Sequence, residues 1–283
     1  MTEIKFTKMQ AYGNDYVYIN TFTQPVENPN ELAKELSNRR FGIGSDGLVL
    51  ICPSETCDFR MRMFNPDGTE GEMCGNALRS VSKYVYDRKM TDKTRFCVET
   101  LGGIQHITIE KGEDHTAKNI TADIGYPVFD TKKIPVAVES GEFVNQKVHI
   151  IDRDFYMSSL SWGNPHTVMF INDDLSEFDV EKYGRAIEND TDLFPRKTNV
   201  TFAVIVDRNN ISIREWERGT GETIGCGTGC CTAAVFANRA GMCDRNISVK
   251  QIGGTLTVNI AQDGRTSMTG PSNIMFDGVY YKK

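Results

Sequence analysis

Two short cysteine loops carry the residues best suited to chemistry in this 283-residue chain: Glu72-Met73-Cys74-Gly75-Asn76-Ala77 and Thr223-Ile224-Gly225-Cys226-Gly227-Thr228-Gly229, each opening a helix-like stretch. Of the eight cysteines, Cys52, Cys57, Cys97, Cys230, Cys231 and Cys243 sit in apolar or alternating segments, where a free thiol behaves as a small buried hydrophobe. Only Cys74 and Cys226 have glycine-rich polar surroundings. A helix N-terminus offers unsatisfied N–H groups and the positive end of the dipole, which bind a carboxylate and lower the pKa of a nearby thiol. Two such ends facing one another would hold one carboxylate between two thiols. If that carboxylate belonged to an amino acid, one thiolate would remove the α-proton and the other thiol would deliver a proton to the opposite face, inverting the centre. The N–H groups of Gly75, Asn76, Gly227 and Thr228 would stabilise the developing negative charge. This is racemisation without a carbanion-stabilising cofactor.

The elements that must position these loops are duplicated. Asn14 lies sixty residues before Cys74, and Asn164 sixty-two before Cys226; Asn65 and Glu217 each close a strand-like run nine residues before their cysteine. Gly102-Gly103 and Gly253-Gly254 follow at nearly equal offsets, each ahead of an alternating segment, Ile104–Ile109 or Thr255–Ile260. Two homologous domains related by a pseudo-twofold are expected, residues 1–125 carrying Cys74 and 126–273 carrying Cys226, with a C-terminal strand near 274–283 returning to the first. Helices are expected over Asn30–Arg40, Asn76–Arg88 and Thr228–Ala240, the last stopped by Gly241. Strands are expected over Asp58–Phe64, Val200–Val206, Ile211–Trp216, Ile247–Gln251 and the two post-glycine segments. Few helices and many short strands indicate an α+β class with mainly antiparallel sheet.

Composition narrows the function. A net charge of −6 leaves no basic footprint for nucleic acid. The N-terminal residues lack the apolar run of a signal peptide, and no uncharged apolar stretch approaches the roughly 18 residues a membrane span needs, so a soluble cytoplasmic protein is expected. The cysteines lack the paired C-x₂-C spacing of a structural zinc site and are expected reduced, so no metal is expected. Gly42-Ile43-Gly44-Ser45-Asp46-Gly47 satisfies G-x-G-x-x-G but follows a helical pattern and precedes a strand, the reverse of the order a dinucleotide fingerprint needs. Simpler uses stand beside the catalytic ones. Asn14 and Asn164 also suit left-handed turn residues after glycine, His166 a hydrogen-bonded structural histidine, and Glu217 with Arg218 a solvated charge pair on a strand that alternates Arg214 and Glu215.

Met73-Cys74-Gly75-Asn76, Gly163-Asn164-Pro165-His166, Glu217-Arg218-Gly219-Thr220-Gly221-Glu222-Thr223 and Cys226-Gly227-Thr228-Gly229 together closely resemble the diaminopimelate epimerase family, and the likeness runs nearly from end to end. The resemblance implies a pyridoxal-independent enzyme that interconverts LL- and meso-diaminopimelate on the lysine and peptidoglycan route. It implies two α+β domains, each a mainly antiparallel sheet wrapped around a central helix. The same two-thiol chemistry on lanthionine or histidine is the alternative. Cys74 and Cys226 match the family's active-site cysteines; Asn14, Asn65, Asn164 and Asn199 match its cleft asparagines. Arg218 matches the arginine that grips the distal carboxylate, for which a bidentate donor suits the geometry, and Glu217 and His166 match groups that engage the amine and tune the cysteines. No cofactor is implied; the partner is a small amino-acid substrate, and a homodimer is compatible. Gly47 stands where some members have glutamine, and Ala77 where glycine is common.

Overall fold

In a computed structural model, residues 2–139 and 141–282 are described, and they form two compact units, 1–123 with 269–283, and 124–268. The first unit runs β1 (Thr2–Ala11), β2 (Asn14–Asn20), α1 (Pro29–Ser37), β3 (Leu48–Cys52), β4 (Phe59–Phe64), β5 (Glu70–Gly71), α2 (Gly75–Asp87), β6 (Arg95–Thr100), β7 (Gly103–Lys111) and β8 (Ala117–Gly125). The second runs β9 (Gln146–Ile150), β10 (Arg153–Ser161), β11 (Pro165–Phe170), α3 (Val180–Glu188), β12 (Asn199–Asp207), β13 (Asn210–Glu217), β14 (Gly221–Thr223), α4 (Gly227–Arg239), β15 (Asn246–Gln251), β16 (Gly254–Ile260) and β17 (Thr266–Gly270). The last strand, β18 (Asn273–Lys282), pairs antiparallel with β1 from Thr2↔Lys282 onward.

Strand pairing shows the duplication directly. In the first unit β1–β2 is antiparallel, β2–β3 parallel, β3–β4 and β4–β5 antiparallel, β4–β6 parallel and β6–β7 antiparallel. The second unit repeats that series with β10–β11, β11–β12, β12–β13, β13–β14, β13–β15 and β15–β16. The parallel steps are crossovers containing a helix, since parallel neighbours need a long connection. The sheets are therefore mainly antiparallel, and each unit is α+β.

In each half the short helix and the cysteine helix differ in how deeply they sit. Helix α1 buries Leu32, Ala33 and Leu36 against Val17, Ile19, Leu48, Leu50 and Phe64. Helix α3 faces the aromatic cluster of Phe155, Phe178, Tyr183 and Phe202. Helix α4 packs against β11, β12, β13, β15 and β16, and its run from Gly227 to Ala237 is almost wholly buried, which is why it is built of Cys230, Cys231, Ala233, Ala234 and Ala237 rather than an amphipathic stripe. Helix α2 packs against β1, β2, β4 and β18 and buries Ala77, Leu78, Val81 and Val85.

Two local differences from the sequence reading have physical causes. Helix α1 ends at Ser37, because Asn38 turns extended and its Oδ1 accepts from the N–H groups of Arg40 and Phe41. Helix α3 was not anticipated. Its Gly184 weakens the helical signal, yet a Cβ there would lie 2.6 Å from the Trp216 side chain, so close helix–sheet contact requires glycine. The glycine run 42–47 is the connection from α1 to β3, with Gly44 at φ +81° and its carbonyl accepting from Lys8 Nζ.

Candidate active site

Cys74 and Cys226 hold the same backbone post. Each is the N-cap of a 13-residue helix, with φ/ψ of −134°/120° at Cys74 and −124°/111° at Cys226, and neither side chain caps its helix. A thiol here takes the place of the serine or aspartate that would consume a first-turn N–H. The turns after the cysteine helices explain the repeated glycine pairs: Gly102 N–H donates to the Glu72 carbonyl (2.9 Å) and Gly253 N–H to the Ile224 carbonyl (2.6 Å), each acceptor two residues before its cysteine.

In the first unit Cys74 Sγ donates to Asn14 Oδ1 (3.5 Å), and Asn14 Nδ2 donates to Asp46 Oδ2 (2.8 Å). The left-handed turn residues are Tyr12 (φ 54°) and Gly13 (φ 79°), so Asn14 is not the turn residue; it opens β2 with its side chain on the thiol. Asp46 and Asp15 share Arg39 at 2.9 and 2.7 Å. Asn76 Oδ1 accepts from the fully buried Arg79 (2.5 Å), and Asn65 closes its own turn through Thr69 Oγ1 (2.9 Å). Gly75 and Ala77 are buried first-turn residues of α2. Gly47 leaves no room for a side chain: φ is +153°, and a Cβ would lie 2.2 Å from the Phe64 carbonyl oxygen.

In the second unit Cys226 is buried. Its Sγ lies 3.5 Å from Thr228 Oγ1, and its N–H donates to Gln251 Oε1 (2.9 Å). Gly227 and Thr228 open α4. Asn164 precedes β11, after Gly163 at φ 102°, so again the positive φ falls on glycine. Asn199 Nδ2 donates to the Pro165 carbonyl (3.0 Å), and its Oδ1 accepts from Arg218 N–H (2.9 Å), fixing the turn that carries Arg218. The Arg218 side chain is exposed and donates to the Arg196 carbonyl. Glu217 Oε1 accepts from Thr223 Oγ1 (2.5 Å). Beneath this turn burial works to raise the Glu188 carboxyl, but hydrogen bonds from Trp216 Nε1, Gly219 N–H and the Lys197 ammonium together hold it below the usual range.

The sequence reading missed Glu215, treating it as part of an alternating charged face. It is 2 % exposed, on the same side of β13 as Ile211 and Ile213, and that parity was the available signal. Its carboxyl accepts from Thr201 Oγ1 (2.5 Å), faces His166 Nδ1 at 3.5 Å, and takes space left by Gly229, whose Cβ would lie 2.4 Å from it. His166, Glu215 and Cys226 bring donor atoms within 4.8 Å of one another, a grouping that no cysteine spacing announces.

Burial dominates the electrostatics here. It lowers His166 to about 4, with the nearby Glu217 charge opposing and Arg218 assisting. It raises Glu215 to about 8 despite hydrogen bonds from Thr201 and Cys226. It also carries the Cys226 thiol well above its ordinary value, and the charges of Glu217 and Glu215 push further in that direction. The Thr228 hydroxyl and Gly229 N–H favour the thiolate but lose to burial, so the expected lowering by the helix N-terminus is reversed at Cys226.

The diaminopimelate epimerase family model matches residues 6–129 and 158–275. A diaminopimelate epimerase of Methanococcus maripaludis is 46% identical, covering 97% of this chain and 99% of its own, and one of Acetivibrio thermocellus is 45% identical, covering 97% and 98%. Among solved structures, a PhzF-family phenazine biosynthesis protein of Bacillus anthracis aligns over 100% of both chains at TM-score 0.72 with 18% identity. A hydroxyproline epimerase of Agrobacterium vitis aligns over 98% of this chain and 92% of its own at TM-score 0.64 with 13% identity, so both share the fold. With a family model spanning both repeats and near end-to-end relatives of this identity, the chain belongs to the diaminopimelate epimerase family.

Proposed function

We propose that this chain interconverts LL- and meso-diaminopimelate, with Cys74 and Cys226 acting on opposite faces of one α-carbon, one as base and the other as acid. The carrying observation is the matched pair of thiol N-caps, one per repeat, in a chain of this family. At each post the first-turn N–H groups, including those of Gly75, Asn76, Gly227 and Thr228, are suited to a carboxylate and to the charge that develops as the α-proton leaves. Arg218, on its exposed turn, grips the distal carboxylate; Asn14, Asn65, Asn164 and Asn199 line or brace the cleft, and Glu217 and His166 tune the site. The relatives' names carry the diamino acid, so lanthionine and histidine are not favoured.

No cofactor or metal enters this reading. It places the enzyme in biosynthesis of lysine and peptidoglycan precursor, in the cytoplasm. No helix among the described residues is long and apolar enough to cross a membrane. Exposed Met275, Phe276, Val279 and Tyr281 on β18 support a homodimer, which light scattering would test.

The decisive experiment is turnover of LL-diaminopimelate in deuterated water. Product should carry solvent deuterium at the inverted α-carbon from the first turnover, while recovered substrate gains little label early. Rapid labelling of substrate before inversion would contradict the two-base assignment.

A further inference from the structure

His166 Nδ1 and Glu215 Oε1 are both buried and without a hydrogen-bond partner, and they face one another at 3.5 Å. Two orphaned polar atoms in a sealed corner carry a desolvation cost. A neutral imidazole that donates Nδ1–H to the Oε1 carbonyl of a protonated carboxyl removes it, satisfying both atoms with no net charge. Every other contact of the pair fits that state. The second carboxyl oxygen meets the Thr201 hydroxyl, a partner for an acid as well as for a carboxylate, and His166 Nε2 accepts from Asn199 Nδ2 at 3.5 Å, which leaves the ring proton on Nδ1. The charged or titratable groups acting on this corner are Cys226 at the start of α4, Glu217 at the end of β13 and Arg218 beyond it. From β12, β15 and α4 come the neutral Thr201, Asn199, Gln251, Thr228 and Gly229.

We propose that Glu215 is held as a neutral acid against a neutral His166 and that Glu215, in the same sealed corner as Cys226, is a positioning residue whose loss of its proton suppresses thiolate formation at Cys226. The assignment rests on the two-thiol reading for its role in turnover, but the state of the pair does not. While the proton is present, Cys226 faces a neutral acid and ionises against burial and Glu217 alone. Once it leaves, a second carboxylate stands beside the sulfur, and the thiolate is disfavoured by the repulsion of like charges. Glu215 is expected to give up the proton near pH 8, because burial holds its carboxyl there. This sets an alkaline limit on Cys226 as a base.

The test is the rate of Cys226 carbamidomethylation by iodoacetamide, followed by peptide mass spectrometry on substrate-free protein against pH, in wild type and Glu215→Gln. The amide preserves shape but cannot ionise. At pH 6.5 the two proteins should react within about threefold of one another, and at pH 9 the variant should react about tenfold faster, one unit of Cys226 ionisation. Equal rates at pH 9, or an equal advantage already at pH 6.5, would overturn the proposal. Glu215→Met, which imports the residue found at the equivalent position of the first half, gives the same comparison if the glutamine variant does not fold. A variant-free check is the ¹⁵N spectrum of His166 at pH 6.5. A neutral ring protonated at Nδ1 is expected, and an imidazolium would place the acid proton on histidine and defeat the assignment. Neither readout uses substrate, so a chain that proved to act on another amino acid would fail the diaminopimelate assay and still pass or fail here independently. In turnover, Glu215→Gln should move the alkaline limb of kcat/KM upward in the direction that uses Cys226 as base.

Discussion

Matching strand registers place Tyr16 with His166, Val49 with Thr201, Met63 with Glu215, Gly47 with Asn199 and Asn65 with Glu217. Around Cys226 these positions carry an ionisable corner sealed from water; in the first half they carry Tyr16, Val49 and Met63. Tyr16 is buried, held well above its usual pKa chiefly by burial and further by the nearby Cys74, and it bonds Asn14. Cys74 is half-buried on an asparagine, and Cys226 is buried among carboxyls. Duplication therefore preserved the backbone post and let the neighbours diverge. A reversible epimerase meets two different substrate faces, and unlike thiols suit unlike partners.

The largest expected effect removes the feature the halves share. Cys74→Ala and Cys226→Ala should each lower epimerisation in both directions by about 10³-fold or more, within the range of general acid–base catalysis. Each variant keeps one base, so with a β-leaving-group analogue, where deprotonation becomes irreversible elimination, the two should consume opposite stereoisomers. Consumption of the same isomer by both would erase the functional distinction between the halves.

Next comes a position where the halves cannot be exchanged. Gly47→Ala should destabilise by about 3 kcal/mol in urea unfolding, from strain at positive φ combined with a steric clash. The Cβ would meet the Phe64 carbonyl, a backbone atom with little room to retreat. A loss under about 0.5 kcal/mol would mean that this corner relaxes freely, and a glutamine could then be accommodated.

How much of this was legible in the sequence depends on whether the signal was local. The two cysteine posts, their glycine context and the helices behind them were readable, because N-cap chemistry lies within a few residues of chain. The helices are Gly75–Asp87 and Gly227–Arg239, close to the expected spans. Helix α3 was hidden because Gly184 answers to Trp216, thirty-two residues away. Glu215 was hidden because its meaning comes from three strands and a helix meeting: His166 on β11, Thr201 on β12, and Gly229 on α4 making room. Charge alternation along β13 concealed what its apolar parity with Ile211 and Ile213 would have shown.

A smaller effect sharpens the comparison inside β12. Thr201→Val installs the residue of the first half, Val49, and removes the donor to Glu215. A buried carboxyl oxygen left without its partner should cost about 1–2 kcal/mol, read as a lower urea midpoint at unchanged slope. Combined with Glu215→Met the cost should shrink, because the second substitution removes the orphaned acceptor. Additive losses would mean that Thr201 supports the fold independently of Glu215.

The smallest effect belongs to the surface network that supports Asn14. Asp15 is held by Arg39 and Lys8, and although burial works to raise its carboxyl, hydrogen bonds and charge from those two cations leave it below the ordinary value. A carboxyl depressed in the folded state stabilises above its unfolded pKa of about 4, and that contribution disappears as pH falls through the lower folded value. Arg39 is largely exposed, so Arg39→Ala should cost only about 0.5 kcal/mol at pH 7. That deficit should hold at neutral pH and shrink toward zero as pH falls through the lowered folded value and Asp15 becomes protonated. It should also fall with added salt, which screens an exposed pair but not the sealed His166–Glu215 corner. A deficit that persisted in acid would assign Arg39 a packing role, and one insensitive to salt would remove the contrast between a screened support for Asn14 and a shielded one behind Cys226.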